Sequence, residues 1–166
     1  MTTIRRIRSG EGPALREVRL RALRTDPDAF AATHEQASSR FDHVWEDLAA
    51  TASAGDQEII FLVEGDEEVI GMVGAFARDE EPATRQLYGM WVAPEARGSG
   101  VGASMVEAVI EWSRAGGADE VKLWVVESNL PAVRLYQKAG FVPTGEAQPL
   151  PSNPELIDTQ MRLALS

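Results

Sequence analysis

The stretch Arg97-Gly98-Ser99-Gly100-Val101-Gly102 (RGSGVG) stands where the chain changes its periodicity. Before it, Arg85 to Val92 (RQLYGMWV) is rich in aromatic and apolar residues and reads as a strand, which Pro94 ends. After it, Val101, Met105, Val109 and Trp112 recur at spacings of 4, 4 and 3, which puts them on one helical face. Gly116-Gly117 closes that helix, and Glu120 to Val126 (EVKLWVV) reads as the next strand. Strand, helix and strand in succession make a βαβ unit. Such a unit pairs its strands in parallel through a right-handed crossover.

The flanks carry a different pattern. Upstream, Glu58 to Glu64 (EIIFLVE) and Val69 to Ala77 read as strands joined by a turn at Gly65-Asp66, a hairpin. Asp79 to Pro82 is a polar turn. Ile4 to Arg8 is a short first strand. Gly12-Pro13 opens a helix in which Leu15, Val18, Ala22 and Leu23 share a face, and Asp26-Pro27 stops it. The spacing predicts a second helix over His34 to Ala52, with Phe41, Val44, Trp45 and Leu48 on its apolar side. Downstream, Pro131 to Ala139 is a short helix with Pro in its first turn and Gly140 past its end. Phe141 begins another strand. Gln148 to Pro154 is proline-rich and is expected to be an ordered loop. In the last segment Ile157, Thr159, Met161, Leu163 and Leu165 alternate with Asp158, Gln160 and Arg162, a half-buried strand. The whole is α/β: a mixed sheet with antiparallel N-terminal strands and a central parallel βαβ crossover, expected to form one domain over residues 1–166.

Composition narrows the function. The chain has 166 residues, with 26 acidic against 16 basic side chains and a net charge of -10. It lacks the basic footprint that grips nucleic acid or an anionic membrane surface. With no cysteine there is no disulfide, thiolate metal site or cysteine nucleophile. MTTIRRIRSG holds no apolar run of the secretory kind, and the longest apolar stretches are too short to span a bilayer. A cytoplasmic protein is expected.

Glycines between a strand and a helix let the backbone come close to a ligand. The helix start adds oriented N–H groups and the positive end of its dipole, which together suit a pyrophosphate. A Walker A loop is excluded, because no lysine follows the glycines. The dinucleotide fingerprint fits poorly. Its third glycine falls one residue early, and Glu120 begins the next strand where a ribose-binding acid would end it. A plain tight turn is the remaining alternative.

The loop as Arg97-x-x-Gly100-x-Gly102, together with Asn129-Leu-Pro-Ala132-Val-Arg-Leu-Tyr136-Gln-Lys-Ala-Gly140-Phe141, resembles the GCN5-related N-acetyltransferase (GNAT) family. The likeness runs from Leu87 to Gly145. It implies acetyl transfer from acetyl-coenzyme A to an amine, with no metal. It also implies roles at matching positions. Backbone groups of Met90, Trp91 and Val92 would pair with the pantetheine arm. The loop and first helical turn, namely Arg97, Gly98, Ser99, Gly100, Val101, Gly102, Ala103 and Ser104, would bind the pyrophosphate. Asn129 and Ala132 would contact the cofactor near the divergence of the parallel strands. Tyr136 would protonate the departing thiolate. Outside the resemblance, Tyr136 also reads as a packed aromatic and Asn129 as a helix cap.

The match departs at one point. Many family members carry a glutamate as general base on the strand before the loop, and here that stretch reads Arg85-Gln86-Leu87-Tyr88. Glu127, Glu35, His34 or a water chain are the candidates left. The acceptor is an amine of a small molecule or a peptide, with no nucleic acid and no membrane as partner. The resemblance also admits a homodimer, although no apolar stripe marks an interface. A coenzyme A-binding sensor without turnover is the alternative function.

Overall fold

The computed structural model describes residues 2–165. Seven strands form one sheet in the order β1-β2-β3-β4-β5-β7-β6. They are β1 (Thr3–Arg6), β2 (Glu58–Glu64), β3 (Val69–Ala77), β4 (Thr84–Val92), β5 (Glu120–Val126), β6 (Val142–Leu150) and β7 (Asn153–Ala164). The β4–β5 pair is parallel and the other five pairs are antiparallel. The crossover between β4 and β5 is α4 (Val101–Ala115). The mixed α/β sheet expected from the periodicities is the one observed.

Successive residues of a strand point to opposite faces, and β4 sorts the helices accordingly. Arg85 reaches one face, where its guanidinium lies 5.6 Å from the Trp112 ring of α4 and donates to the Gly116 carbonyl. Gln86 and Tyr88 face the other way, towards α1 (Gly12–Thr25). Helix α1 packs on α3 (Asp42–Ala52) and on β3, and α3 packs on β2. Helix α5 (Leu130–Lys138) packs on α4 and β5. The core is filled from both faces, by Leu15, Leu23 and Trp45 on one side and by Met105, Val106 and Val109 of α4 on the other.

The helix expected over His34 to Ala52 is two helices. The first, α2, is His34–Ser38, and α3 starts at Asp42. A capping box opens α2, with Thr33 and Gln36 bonding each other's backbone N–H. Its end is set by Ser38 and Ser39, whose hydroxyls both donate to the Glu35 carbonyl (3.2 and 2.7 Å). Such local side-chain bonds compete with helix continuation. Phe41 therefore caps α3 and is 74% exposed, whereas Trp45 and Ala49 carry the buried face.

Two expectations near the C-terminus also change. The ordered loop expected over Gln148 to Pro154 is mostly strand: residues 148–150 end β6 and 153–154 begin β7. Pro149 is tolerated because β6 is an edge strand, and Pro154 stands at the start of β7. In β7, Asp158 and Gln160 are buried at 5% and 8% exposure, while Ile157 is 36% exposed. The face carrying these polar side chains is enclosed: Asp158 shares a cavity with Arg19 and Phe30, and Gln160 accepts from the Thr144 hydroxyl (2.9 Å). The first strand ends at Arg6, and Ile7 continues it with a single bond from its N–H to the Ile60 carbonyl (2.8 Å).

Candidate active site

The parallel pairing of β4 with β5 lasts three residues, from Thr84 opposite Glu120 to Gln86 opposite Lys122. Beyond that the strands diverge, and Leu87 to Val92 has no strand partner on its β5 side. On its other side the ladder with β3 skips between Tyr88 and Trp91, so Gly89 and Met90 form a bulge. Gly89 takes φ 65° to make it. Divergence and bulge together leave Met90, Trp91 and Val92 without a strand partner on the β5 side, although the Val92 carbonyl is taken by Arg97.

The glycine loop lies where β4 hands over to α4. Gly98 and Gly100 have φ of 82° and 85°, and a Cβ on either would meet nothing within 4 Å. Both therefore border open space. Gly100 is the N-cap of α4, and the Ser104 N–H bonds its carbonyl (3.1 Å). The N–H groups of Val101, Gly102 and Ala103 precede that first helical bond and end the helix unpaired by it. Ser99 donates its hydroxyl to the Ala96 carbonyl (2.7 Å). Gly102 fits against Met90 and Leu135, whose methyl groups lie 3.5 Å from where a Cβ would stand. The Arg97 guanidinium is held by the Val92 carbonyl (2.9 Å) and by Asp26 (2.6 Å). Trp91 contributes a buried indole, which donates to the same Asp26 oxygen (2.7 Å).

Asn129 caps α5 at the far side of the divergence, accepting from the Ala132 N–H (3.4 Å). Its amide N–H₂ is turned to no protein partner among the described residues. Tyr136 is buried on α5, with its ring edge-on to Phe141 at 5.8 Å between centroids. Burial pushes its phenol pKa up, so the hydroxyl keeps its proton.

Two cavities share Ala29 as a wall, and of the candidate cofactor residues and Tyr136 only Asn129 lines either of them. One, of about 380 Å³, runs between Asp26 to Ala29 and the end of β5 at Val126, Ser128 and Asn129. The other, of about 720 Å³, lies over the sheet, with Arg19, Tyr88, Trp124 and Asp158 among its walls. None of Glu127, Glu35 and His34 lines either cavity. Glu127 and Glu35 are exposed, and the His34 Nε2 is buried without a hydrogen-bond partner. Gln86 lines the larger cavity and accepts from Arg78 (3.4 Å). The carboxylate that does face this cavity from the sheet is Asp158, which the alternation of β7 disguised as an outward polar residue. Burial raises its pKa, and a hydrogen bond from Gln148 partly offsets the rise. Among the described residues no group of three His, Asp or Glu side chains is placed to hold a metal.

A diverging parallel pair, a bulged strand and a glycine loop at a helix start define an acyl-coenzyme A-binding fold. Residues 19–141 match the Acetyltransferase (GNAT) family, and the chain belongs to that family. It is 28% identical over 123 residues to the mycothiol acetyltransferase of Beutenbergia cavernae, covering 74% of this chain and 38% of that protein. The chain thus spans well under half the length of that curated relative. A GNAT-family acetyltransferase from Streptococcus pneumoniae superposes with a TM-score of 0.86 at 22% identity, over the whole of both chains. The spermidine N-acetyltransferase of Vibrio cholerae, in complex with CoA and spermine, superposes with a TM-score of 0.76 at 18% identity. That match covers 99% of this chain and 95% of the other. No helix among the described residues is long and apolar enough to cross a membrane.

Proposed function

We propose that the chain is an N-acetyltransferase that moves an acetyl group from acetyl-coenzyme A directly to a primary amine, in a ternary complex, in the cytoplasm. The observation that carries this reading is the end of parallel pairing at Gln86 and Lys122, beside a glycine loop on one side and Asn129 and Tyr136 on the other. The residues present fit the cofactor. Gly98 and Gly100 border open space, and the first N–H groups of α4 suit a pyrophosphate. Met90 to Val92 offer backbone groups to the pantetheine arm, with Asn129 and Ala132 opposite them.

Bound acetyl-coenzyme A would supply a thioester carbon open to attack by a neutral amine. The protein contributes three things. Backbone N–H groups at the Gly89–Met90 bulge would serve as donors to the oxyanion. Asp158 takes the proton from the acceptor ammonium, in the position of a base that Gln86 cannot fill. Tyr136 gives a proton to the leaving thiolate, and burial keeps that proton in place until it is needed. The cofactor arm passes Asn129 at the rim of the smaller cavity, and the larger cavity holds the acceptor, a small molecule or a peptide end.

The test is a melting curve with acetyl-coenzyme A, with NADH and ATP as controls, followed by a thiol-release assay on an amine panel. A ligand at a hundred times its dissociation constant adds about 2.7 kcal/mol. For a chain of this size that is a rise of roughly 5–10 °C. A rise with acetyl-coenzyme A alone, and thiol release that depends on an amine, supports the reading. A rise with NADH alone sinks it.

A further inference from the structure

Arg19 projects from α1 into the wall of the larger cavity, beside Tyr88 and Gly89. Its guanidinium stacks on the Phe30 ring, 4.8 Å from the centroid. Its Nη1 lies 3.4 Å from where a Cβ on Gly89 would stand, close to the strand bulge. That nitrogen is buried and has no hydrogen-bond partner among the described residues. No carboxylate of the described residues pairs with the guanidinium, whereas Arg5, Arg21, Arg78, Arg97 and Arg162 each have one within 4 Å. The other arginine on this cavity, Arg78, is engaged by Gln86 and Glu81.

A guanidinium keeps its charge when partly buried, yet an unfilled donor at such a place is costly. Burial and the nearby charge of Arg40 both press against the charged form of Arg19, and the neighbouring Tyr88 offsets only part. The missing partner is an oxyanion, since the planar fork of an arginine matches carboxylate and phosphate oxygens. A protein carboxylate does not fill the role, and the cavity opens beside it. Asp158 stands on another wall of the same cavity. Asp79 and Glu80 also line it, on the exposed turn after β3.

We infer that the acceptor amine also carries an oxyanion group, a carboxylate or a phosphate, which Arg19 binds while Asp158 faces the amino end. This rests on the proposed acetyl transfer in this cavity. It narrows the acceptor to zwitterionic molecules, amino acids and aminoalkyl phosphates among them, and makes simple polyamines poor acceptors. Arg19 is then the residue that sets specificity, and its contribution falls on acceptor binding rather than on the bond-making step.

Thiol release would be followed for matched acceptor pairs with the wild-type chain, Arg19→Gln and Arg19→Lys. Each standard amino acid is compared with its carboxamide, and phosphoethanolamine with ethanolamine. The wild type is expected to favour the anionic member of at least one pair by roughly tenfold or more in kcat/KM, the scale of a charge-assisted hydrogen bond. Arg19→Gln should erase that preference by raising KM for the anionic member, with kcat and the uncharged partner little changed. Arg19→Lys should restore part of it. Which pair responds tells carboxylate from phosphate. Equal rates within every pair, a preference that survives Arg19→Gln, or turnover confined to amines without an anion would overturn the inference. The acetyl-coenzyme A melting shift is read on the same preparations. Its absence sinks the transferase reading, whereas a normal shift with no anionic amine turned over sinks this inference alone.

Discussion

The Asp26 carboxylate, at the end of α1, holds the Arg97 guanidinium of the glycine loop at 2.6 Å across 71 positions of sequence. The same oxygen accepts from the Trp91 indole at 2.7 Å. One side chain thus ties the wall of the smaller cavity, residues 26 to 29, to β4 and to the candidate pyrophosphate loop. Asp26→Ala removes both bonds and leaves a buried indole N–H without a partner, a loss on the order of 1–3 kcal/mol. The exposed Arg97 adds little to that figure. The melting temperature should fall by several degrees, and KM for acetyl-coenzyme A should rise about three- to tenfold because the loop is no longer anchored. An unchanged KM would mean that the loop holds its shape without Asp26.

Gly74 on β3 pairs with Tyr88, and a Cβ there would run into the Tyr88 ring. The missing side chain is what lets the ring lie across β3, where Tyr88 lines the larger cavity. Gly74→Ala should cost about 1–3 kcal/mol through overpacking and should lower acceptor turnover by displacing Tyr88. In a Tyr88→Ala background, which is itself destabilised by the lost ring, Gly74→Ala should cost little further melting temperature. Strict additivity of the two single changes would show that the contact is not the cause.

Much of this architecture was legible beforehand because it rests on local periodicity. The runs 58–64, 69–77 and 120–126 alternate or are continuously apolar, and their bounds match β2, β3 and β5. The break at Ser38 to Phe41 was not legible. Phe41, Val44, Trp45 and Leu48 keep helical spacing through it, and only the serine-to-Glu35 bonds decide against continuation. Asp158 was hidden for another reason. Alternation distinguishes two faces of a strand but not which face is covered, and β7 slots between β5 and β6 only through long-range order. The length of the β4–β5 pairing is likewise a property of the assembled sheet. The motif resemblance makes Arg97 a ligand of the cofactor. The protein partners it has in the structure, Asp26 and the Val92 carbonyl, lie far away in sequence or on the backbone, where motif reading does not look.

Tyr136 can lose its hydroxyl without losing its packing, since a phenylalanine keeps the edge-on contact with Phe141. Tyr136→Phe should therefore lower kcat by about a hundredfold, the scale of general-acid catalysis. The acetyl-coenzyme A melting shift should stay as in the wild type. Burial raises the phenol pKa, so no alkaline limb of the rate profile should come from Tyr136 below its ordinary value of about 10. A rate unchanged by the substitution would remove Tyr136 from the reaction.

Asp158 links the stability of the chain to its proposed chemistry. Burial raises its folded pKa above the unfolded value of about 3.9, so the folded chain holds this proton to higher pH than the unfolded one. The stability that follows is fully present below the unfolded pKa and is lost as pH rises through the folded pKa. At neutral pH the buried charge is therefore a cost. Asp158→Asn keeps the shape and the Gln148 neighbour but removes the charge. Its melting temperature should exceed that of the wild type at pH 7, and the gap should close as pH is lowered towards the unfolded pKa. The charged groups facing Asp158 around the cavity are Arg19, Arg78, Asp79 and Glu80, and none of them is altered by the substitution. Turnover should move the opposite way, falling about a hundredfold if Asp158 accepts the amine proton. The acidic limb of the wild-type kcat/KM profile should disappear with it. A variant that is more stable yet fully active would show that Asp158 is a buried acid with no part in the reaction. A variant that is slower but keeps the same acidic limb would place the base elsewhere.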